Sequence, residues 1–312
     1  MTEGSIRVNS IPVFAGAALR RFAVLNNVAT MDSTVFLAVL LAAALHAGWN
    51  ALVKGGRRKH LNMAAVVIGH LPLATLALLS FPAPDPASWP WIAAGIGLHA
   101  GYQIFLLFAY QAGDFSQVYP LARGSAPLIV AAVSVLVLGV VLSPGELLAI
   151  GLIGAGIISL TLVRRQDGNR APGAAMLALI TGGFIAGYTL VDGIGAGLSG
   201  SPVAFFGWVA TGNIVTFSLF MTWRYPGELC MLTRQHLRIA LIGGSASFLA
   251  FSIVIWAFTQ APIALVAALR ETSIVFALLI GVFVFRERLD LGKLIATLLT
   301  LIGAALLRLA KS

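Results

Sequence analysis

The chain has 312 residues, of which 59% are apolar and 10% are charged, and its formal net charge is +9. Its mean hydropathy of +0.95 leaves too few polar side chains to cover one or two water-soluble domains. The positive charge does not indicate nucleic-acid binding, because the basic residues stand at the ends of apolar segments. The composition therefore predicts an integral membrane protein.

The first 30 residues differ from the rest of the chain. They carry scattered arginines, lack a sustained helical period and end before a second methionine, Met31. The apolar run over 11–19 is short and does not fit a signal peptide. We expect residues 1–30 to form a poorly structured extension.

The remaining chain reads as ten apolar segments separated by short polar connections. About 20 apolar residues cross a bilayer as a helix, because the backbone must satisfy its own hydrogen bonds there. The predicted spans are 34–53, 61–82, 89–112, 115–140, 145–163, 173–191, 203–223, 238–258, 262–285 and 290–308. The sequence thus predicts an all-α protein with ten transmembrane helices.

Lysines and arginines cluster in the connections after odd-numbered spans and are absent from those after even-numbered spans. The positive-inside rule places the basic connections in the cytoplasm and both termini on the opposite side. We expect a multi-pass protein of the cytoplasmic (inner) membrane. The single Cys230 excludes a disulfide framework, and no spacing of Cys and His predicts a metal site.

Two arginines inside apolar spans, Arg123 and Arg270, reveal an internal duplication. When they are superposed, Leu142 falls on Leu289 and Gly156 on Gly303. In the same order along the chain, LHAGWNAL (45–52) matches FIAGYTLV (184–191). We therefore predict two repeats, residues 31–164 and 172–312.

Five spans per repeat is an odd number, so the second repeat enters the membrane upside down relative to the first. Two similar halves of opposite orientation can exchange conformations around a site near the midplane. Glycines at helix contacts, such as Gly182 and Gly187, allow close packing of the helices. The predicted duplication therefore indicates a transporter that works by alternating access.

Four motifs carry a resemblance to a known family: HAGWNALVK (46–54), YPLARGSAP (119–127), GYTLVDG (187–193) and LRETS (269–273). The chain resembles the drug/metabolite transporter superfamily, within it the ten-helix EamA-type carriers, over 35–307. It is also similar to a subgroup associated with phosphonate utilisation. The resemblance implies export rather than import, cytoplasmic termini and a glutamate near the end of each motif. Glu287 fills that place in the second repeat, whereas Val140 stands there in the first.

A charge at the centre of a membrane helix costs about 2.5–3.5 kcal/mol, so Arg123, Arg270 and Glu271 are the leading functional candidates. Two guanidinium groups could hold a carboxylate, phosphate or phosphonate bidentately. In the structural alternative, Arg270 is neutralised by Glu271, Asp192 or helix-end carbonyls, and Arg123 by carbonyls freed near prolines. Neighbouring helical residues point about 100° apart, so we expect that Arg270 and Glu271 do not pair closely.

Other polar and aromatic side chains complete the predicted substrate site. On the first span, His46 and Asn50 form a polar stripe that continues to Lys54. The additional substrate-binding candidates are Tyr119, Trp49, His99, Tyr102, Tyr188, Trp256 and Thr272. Proton-coupling candidates are His46, Glu271 and Asp192, which we place at the end of the sixth span. A packing role for each aromatic residue and a hydrogen-bonded role for His46 remain open.

The sequence predicts a secondary transporter of a small polar metabolite, expected to be anionic or zwitterionic, without cofactor or metal. Its partners are the substrate and the lipid bilayer, not nucleic acid, and a homodimer is left open. No P-loop or HExxH motif is present, and Ser125, Ser134 and Ser273 have no evident His and Asp partners, which disfavours an enzyme. The alternative function is a membrane sensor or assembly protein that binds without translocating.

Overall fold

The computed structural model describes residues 31–54, 58–113, 115–137, 142–159 and 172–284, with isolated residues from 295 to 306. All regular structure in these ranges is helical. The predicted all-α membrane fold is confirmed. The N-terminal extension, Val140 and Glu287 lie outside the described residues.

Helices α1 to α12 follow in chain order. They are Ser33–Lys54, Lys59–Ile68, Leu71–Ser80, Trp89–Ala112, Phe115–Leu136, Pro144–Ser159, Pro172–Ser199, Pro202–Arg224, Arg234–Ile239, Ser245–Phe258, Ile263–Arg270 and Ser273–Phe283. Prolines in the first turns of α3, α4 and α8 begin these helices where no intrahelical N–H bond is lost.

Six helical stretches in the described part of the chain are long and apolar enough to cross a membrane. They are Ser33–Val53, Lys59–Ser80, Pro86–Ala112, Gly173–Ser199, Pro202–Arg224 and His236–Phe258. Shorter apolar helices lie at Leu121–Leu136 and Pro144–Gly156. The protein is therefore multi-pass, and six of the ten predicted spans have a membrane-length helix.

The second predicted span is interrupted where it crosses the eighth. The chain breaks between α2 and α3 at Gly69, and the π-helix Ala240–Gly244 joins α9 to α10 opposite this break. A Cβ on Gly244 would lie 2.5 Å from the backbone carbon of Gly69, and one on Gly69 would overlap the carbonyl of Ala240. Two glycines thus let the backbones touch, and both helices deviate from α geometry there.

Helix α7 runs further than the sequence predicted, to Ser199 instead of residue 191. Its glycine-rich end stays helical because large neighbours fill the space over the glycines. A Cβ on Gly195 would lie 2.5 Å from the ring of Phe205 and 2.6 Å from Trp91. The predicted placement of Asp192 at a helix end is therefore wrong, since Asp192 lies inside α7 and is 1% exposed.

Helix packing is dominated by contacts between the first and second halves of the chain. Helix α1 packs against α10, α11 and α12, while α7 packs against α4 and α5. Helix α4 also packs against α8, and α2 against the π-helix. The interface between the two halves of the chain is thus the centre of the molecule, and the helices that carry buried charged side chains meet there.

Candidate functional site

Several of the largest fully buried side chains are polar or amphipathic, which is unusual inside a membrane protein. They include Trp49, Arg123, Arg270, Tyr102 and Tyr188. Helices α1, α4, α5, α7 and α11 bring them together at the interface between the halves. These residues and their hydrogen-bond partners form the candidate site.

Arg123 on α5 is the hub of this site. Its Nε donates to Oε2 of Glu271 at 2.8 Å and its Nη1 to Nε2 of His46 at 2.8 Å. Its Nη2 donates to Oγ of Ser273 at 3.3 Å. All three guanidinium nitrogens therefore have partners, and two of these partners come from the second half of the chain.

The helix that carries Arg270 ends at this residue. The N–H groups of Glu271 and Thr272 donate to carbonyls three residues back, at 3.1 Å each, and the Thr272 hydroxyl donates to the Leu269 carbonyl at 2.8 Å. This tight turn separates α11 from α12, so the angular spacing of a continuous helix does not apply. The expectation that Arg270 and Glu271 do not pair closely is wrong: Nε and Oε1 are 3.7 Å apart.

Arg270 has fewer partners than Arg123 although both are buried. Its Nη2 donates to Oγ1 of Thr189 at 3.4 Å, and its guanidinium carbon lies 5.7 Å from the centre of the Tyr188 ring. Nε and Nη1 of Arg270, and Oε1 of Glu271, have no hydrogen-bond partner. Arg270 therefore keeps two free donors beside an aromatic face and a carboxylate.

His46, Trp49 and Asn50 lie on one face of α1 beside Arg123. His46 accepts from Arg123 at Nε2, because a guanidinium has no acceptor. Trp49 Nε1 lies 3.3 Å from His46 Nδ1, and Asn50 Nδ2 donates to the His46 carbonyl at 2.8 Å. Because the acceptor nitrogen Nε2 faces a guanidinium, where a second ring proton would have to bind, this contact favours His46 as an acceptor over a proton carrier. The side chain of Lys54 lies outside the described residues.

A second ionisable pair lies between α4 and α7. His99 Nε2 and Asp192 Oδ2 are 2.7 Å apart, with the side chains 4% and 1% exposed. Tyr188, one turn before Asp192 on α7, stacks on the His99 ring with centroids 4.3 Å apart. Oδ1 of Asp192 has no hydrogen-bond partner. Tyr188 therefore touches this pair on one side and Arg270 on the other.

The remaining predicted residues differ in how close they come to the centre. The centre of the Tyr119 ring lies 5.8 Å from the guanidinium carbon of Arg123, and the Tyr119 hydroxyl is 3.4 Å from Oγ of Ser273. Tyr102 makes an edge-to-face contact with Tyr188, with 5.5 Å between the ring centres. Thr272 is buried, but its hydroxyl is engaged by the backbone. Trp256 is half-buried and packs at the edge of the core.

The sequence did not single out as site residues three residues that the structure places in the cluster. Ser273 and Thr189 bond the two arginines, and Phe251 lies 5.2–5.9 Å from His99, His46 and Tyr188, ring centre to ring centre. A separate hydrogen bond, from Asn213 on α8 to Gln103 on α4 at 3.1 Å, involves no side chain of this cluster. Ser273 and Thr189 adjoin the recognised motifs, which is a usable signal, whereas nothing in the sequence marks Phe251.

The two arginines share one carboxylate, and the second buried carboxylate, Asp192, pairs with His99. Two guanidinium groups face a single carboxylate, Glu271, within hydrogen-bond or ion-pair distance. No group of three or more His, Cys, Asp or Glu side chains that could hold a metal occurs in the described ranges. The arrangement can bind an anionic group through the free donors of Arg270 and supplies no nucleophile paired with a base.

Comparison with known proteins identifies the second half of the chain. Residues 173–309 match the model of the EamA-like transporter family. The second half of the chain is therefore similar to the EamA-like transporter family. This similarity implies a membrane transporter of the drug/metabolite type, and EamA transporters are generally not enzymes. The EamA-type resemblance is confirmed over this range, which contains two of the four motifs, GYTLVDG and LRETS.

Solved structures share the fold of this EamA-like protein. Twenty-nine chains match it, among them one whose title reads only "Crystal structure of protein". That chain is 19% identical, with a TM-score of 0.70, and the match covers 90% of this chain and 98% of that one. At this identity the likeness concerns the fold alone. No curated protein matches the chain.

Proposed function

We propose that this EamA-like protein is a secondary transporter that moves a small anionic or zwitterionic metabolite by alternating access. The observation that carries the proposal is Arg270, which is 2% exposed and has two guanidinium nitrogens, Nε and Nη1, without hydrogen-bond partners. A buried cation with unused donors is costly unless a ligand supplies the acceptors. A carboxylate, phosphate or phosphonate has the geometry to take both donors.

Arg123 has a positioning role in this proposal. Each of its three nitrogens already donates, to Glu271, His46 and Ser273, so it offers a substrate fewer donors than Arg270 does. Instead it fixes Glu271, whose other oxygen is 3.7 Å from Arg270. Tyr188 and Thr189 complete the contact surface of Arg270, and Tyr102, Tyr119 and Phe251 form the aromatic surroundings.

The packing pattern supports two pseudo-symmetric halves, with repeats at 31–164 and 172–312. If α1 corresponds to α7, α4 to α10, and α5 to the pair α11 and α12, the contact α1–α10 becomes α7–α4. The contact of α1 with α11 and α12 becomes α7–α5 in the same way. The structure contains both the original contact and its equivalent in each of these two cases. Such an exchange of equivalent contacts is what alternating access between inverted repeats requires.

Contacts between the halves at both ends of the bundle support a closed intermediate in this cycle. At one end Glu228 lies 3.4 Å from Arg58 and 3.3 Å from His60, whose ring stacks on Tyr225. At the other end the Asp85 N–H donates to the Ser199 carbonyl at 3.0 Å. Opening to either side breaks the contacts of that side and keeps the other set.

The proposal is tested by exchange transport in liposomes with the purified protein. Labelled inorganic phosphate, methylphosphonate, 2-aminoethylphosphonate and glutamate are offered outside vesicles loaded with the same unlabelled compound. Wild type should exchange at least one probe, and Arg270→Gln should lower its rate at least ~10-fold because the free donors are lost.

The matched control is Arg224→Gln, which makes the same change at an exposed arginine at the end of α8. It should leave exchange unchanged. Binding of a probe without exchange by wild type would support a sensor or assembly protein instead. Normal exchange by Arg270→Gln would remove Arg270 from the site.

A further inference from the structure

The pair formed by His99 and Asp192 is a second buried ionisable centre that the anion site does not use. It lies between α4 and α7, with 2.7 Å between Nε2 and Oδ2. The unpartnered Oδ1 of Asp192 faces the backbone of α4, where a Cβ on Gly95 would lie 2.8 Å away. A buried carboxylate with one unsatisfied oxygen is stable only if its charge is balanced or it takes a proton.

The charges buried at the centre of the bundle balance only while the anion site is empty. In the described part of the chain, these charges are the cations of Arg123 and Arg270 and the carboxylates of Glu271 and Asp192. Two positive and two negative charges give a net charge of zero. A monoanion bound at Arg270 leaves the centre with one uncompensated negative charge, which is costly inside a bilayer. One proton added to the His99–Asp192 pair restores neutrality.

The pair can hold this proton without losing its hydrogen bond. With neutral His99, Nε2–H donates to the Asp192 carboxylate, and the extra proton then resides on the imidazole or on the free Oδ1. In either position of the added proton, Oδ2 of Asp192 remains the acceptor in the same 2.7 Å contact. Reversible proton binding needs only such a small rearrangement.

Other titratable groups surround the pair, and Tyr188 connects it to Arg270. Tyr188 stacks on His99 and touches the Arg270 guanidinium, and Tyr102 touches Tyr188. His70, at the break between α2 and α3, contacts Phe206, which also contacts His99. Asp192, Tyr188 and Thr189 share α7, so a shift of this helix changes the contacts of the pair and of Arg270 together.

We propose that His99 and Asp192 form a proton-binding site that is loaded together with the anion at Arg270, so that proton and substrate cross the membrane in the same direction. This inference rests on the proposed transport function. Under an acidic exterior the coupling drives uptake, in contrast to the export that the family resemblance implies. One proton accompanies each monoanion.

The test compares exchange with accumulation in liposomes, using the probe among phosphate, methylphosphonate, 2-aminoethylphosphonate and glutamate that wild type exchanges. Exchange is measured at equal pH on both sides, and accumulation under an inward proton gradient. Asp192→Asn imitates the neutral carboxyl, so it should keep at least half of the exchange rate and lose accumulation at least ~10-fold. Gln103→Leu breaks a neutral hydrogen bond of α4 to Asn213 and should keep both activities.

A second variant keeps both ionisable groups. Gly95→Ala places a methyl group against Oδ1 of Asp192 and should reduce accumulation about 3-fold with exchange intact. Accumulation at the wild-type level by Asp192→Asn, or loss of its exchange together with accumulation in folded protein, overturns the proton site and leaves the transport function standing. Absence of exchange of every probe by wild type overturns both.

Discussion

Arg123 and Arg270 occupy matching positions in the two predicted repeats but have very different surroundings. Arg123 lies within the continuous helix α5 and all three of its nitrogens are hydrogen-bonded. Arg270 ends α11 at a tight turn and retains two nitrogens without partners. The comparison teaches that two buried cations at matching positions differ in their partners: Arg123 bonds residues of both halves of the chain, whereas Arg270 keeps donor nitrogens without hydrogen-bond partners.

The largest effect is expected when the saturated arginine is removed. Arg123→Met leaves Glu271 and His46 without their partner, and loss of one member of a buried ion pair costs about 3–5 kcal/mol. Thermal unfolding in detergent, followed by tryptophan fluorescence, should show the lower stability. In a double-mutant cycle with Glu271→Gln, the combined loss should fall at least ~1 kcal/mol short of the sum. Strict additivity would show that the pair contributes no coupling.

A smaller effect is expected from the same change at the unsaturated arginine. Arg270→Met removes a buried cation that has one long hydrogen bond, and Glu271 keeps its bond to Arg123. Replacing a poorly satisfied buried charge by an apolar side chain is often neutral, so the change in unfolding free energy should stay within about 1 kcal/mol. A loss equal to that of Arg123→Met in the same unfolding assay would erase the proposed difference between the two sites.

The smallest effects concern the hydroxyl partners of the two arginines. Ser273→Ala removes a bond inside the saturated cluster and should cost about 1 kcal/mol. Thr189→Val removes only the 3.4 Å contact of Arg270 and should cost about 0.5 kcal/mol or less. Unfolding midpoints measured side by side under one detergent condition give the order, and the reverse order contradicts the assignment of roles.

The predicted partners of the charged residues depended on local helix geometry. In a helix that continued through 262–285, the side chains of Arg270 and Glu271 would point in different directions. The turn at Glu271 and Thr272 instead brings Nε of Arg270 to 3.7 Å from Oε1 of Glu271. The sequence likewise predicts that the sixth span ends at residue 191, which places Asp192 at a helix end. Packing of Phe205 and Trp91 over the glycines instead extends α7 to Ser199.

The sequence by itself determined that this chain is a helical membrane protein whose second half is similar to the EamA-like family, with two arginines inside apolar segments. Hydropathy and the cost of charge in lipid act residue by residue, so they can be read without coordinates. Only the tertiary structure decided that Arg123 bonds Glu271 and His46, that Arg270 keeps free donors, and that His99 meets Asp192. Those contacts join residues far apart in the chain, and helix crossings at glycines, backbone breaks and side-chain directions set them jointly.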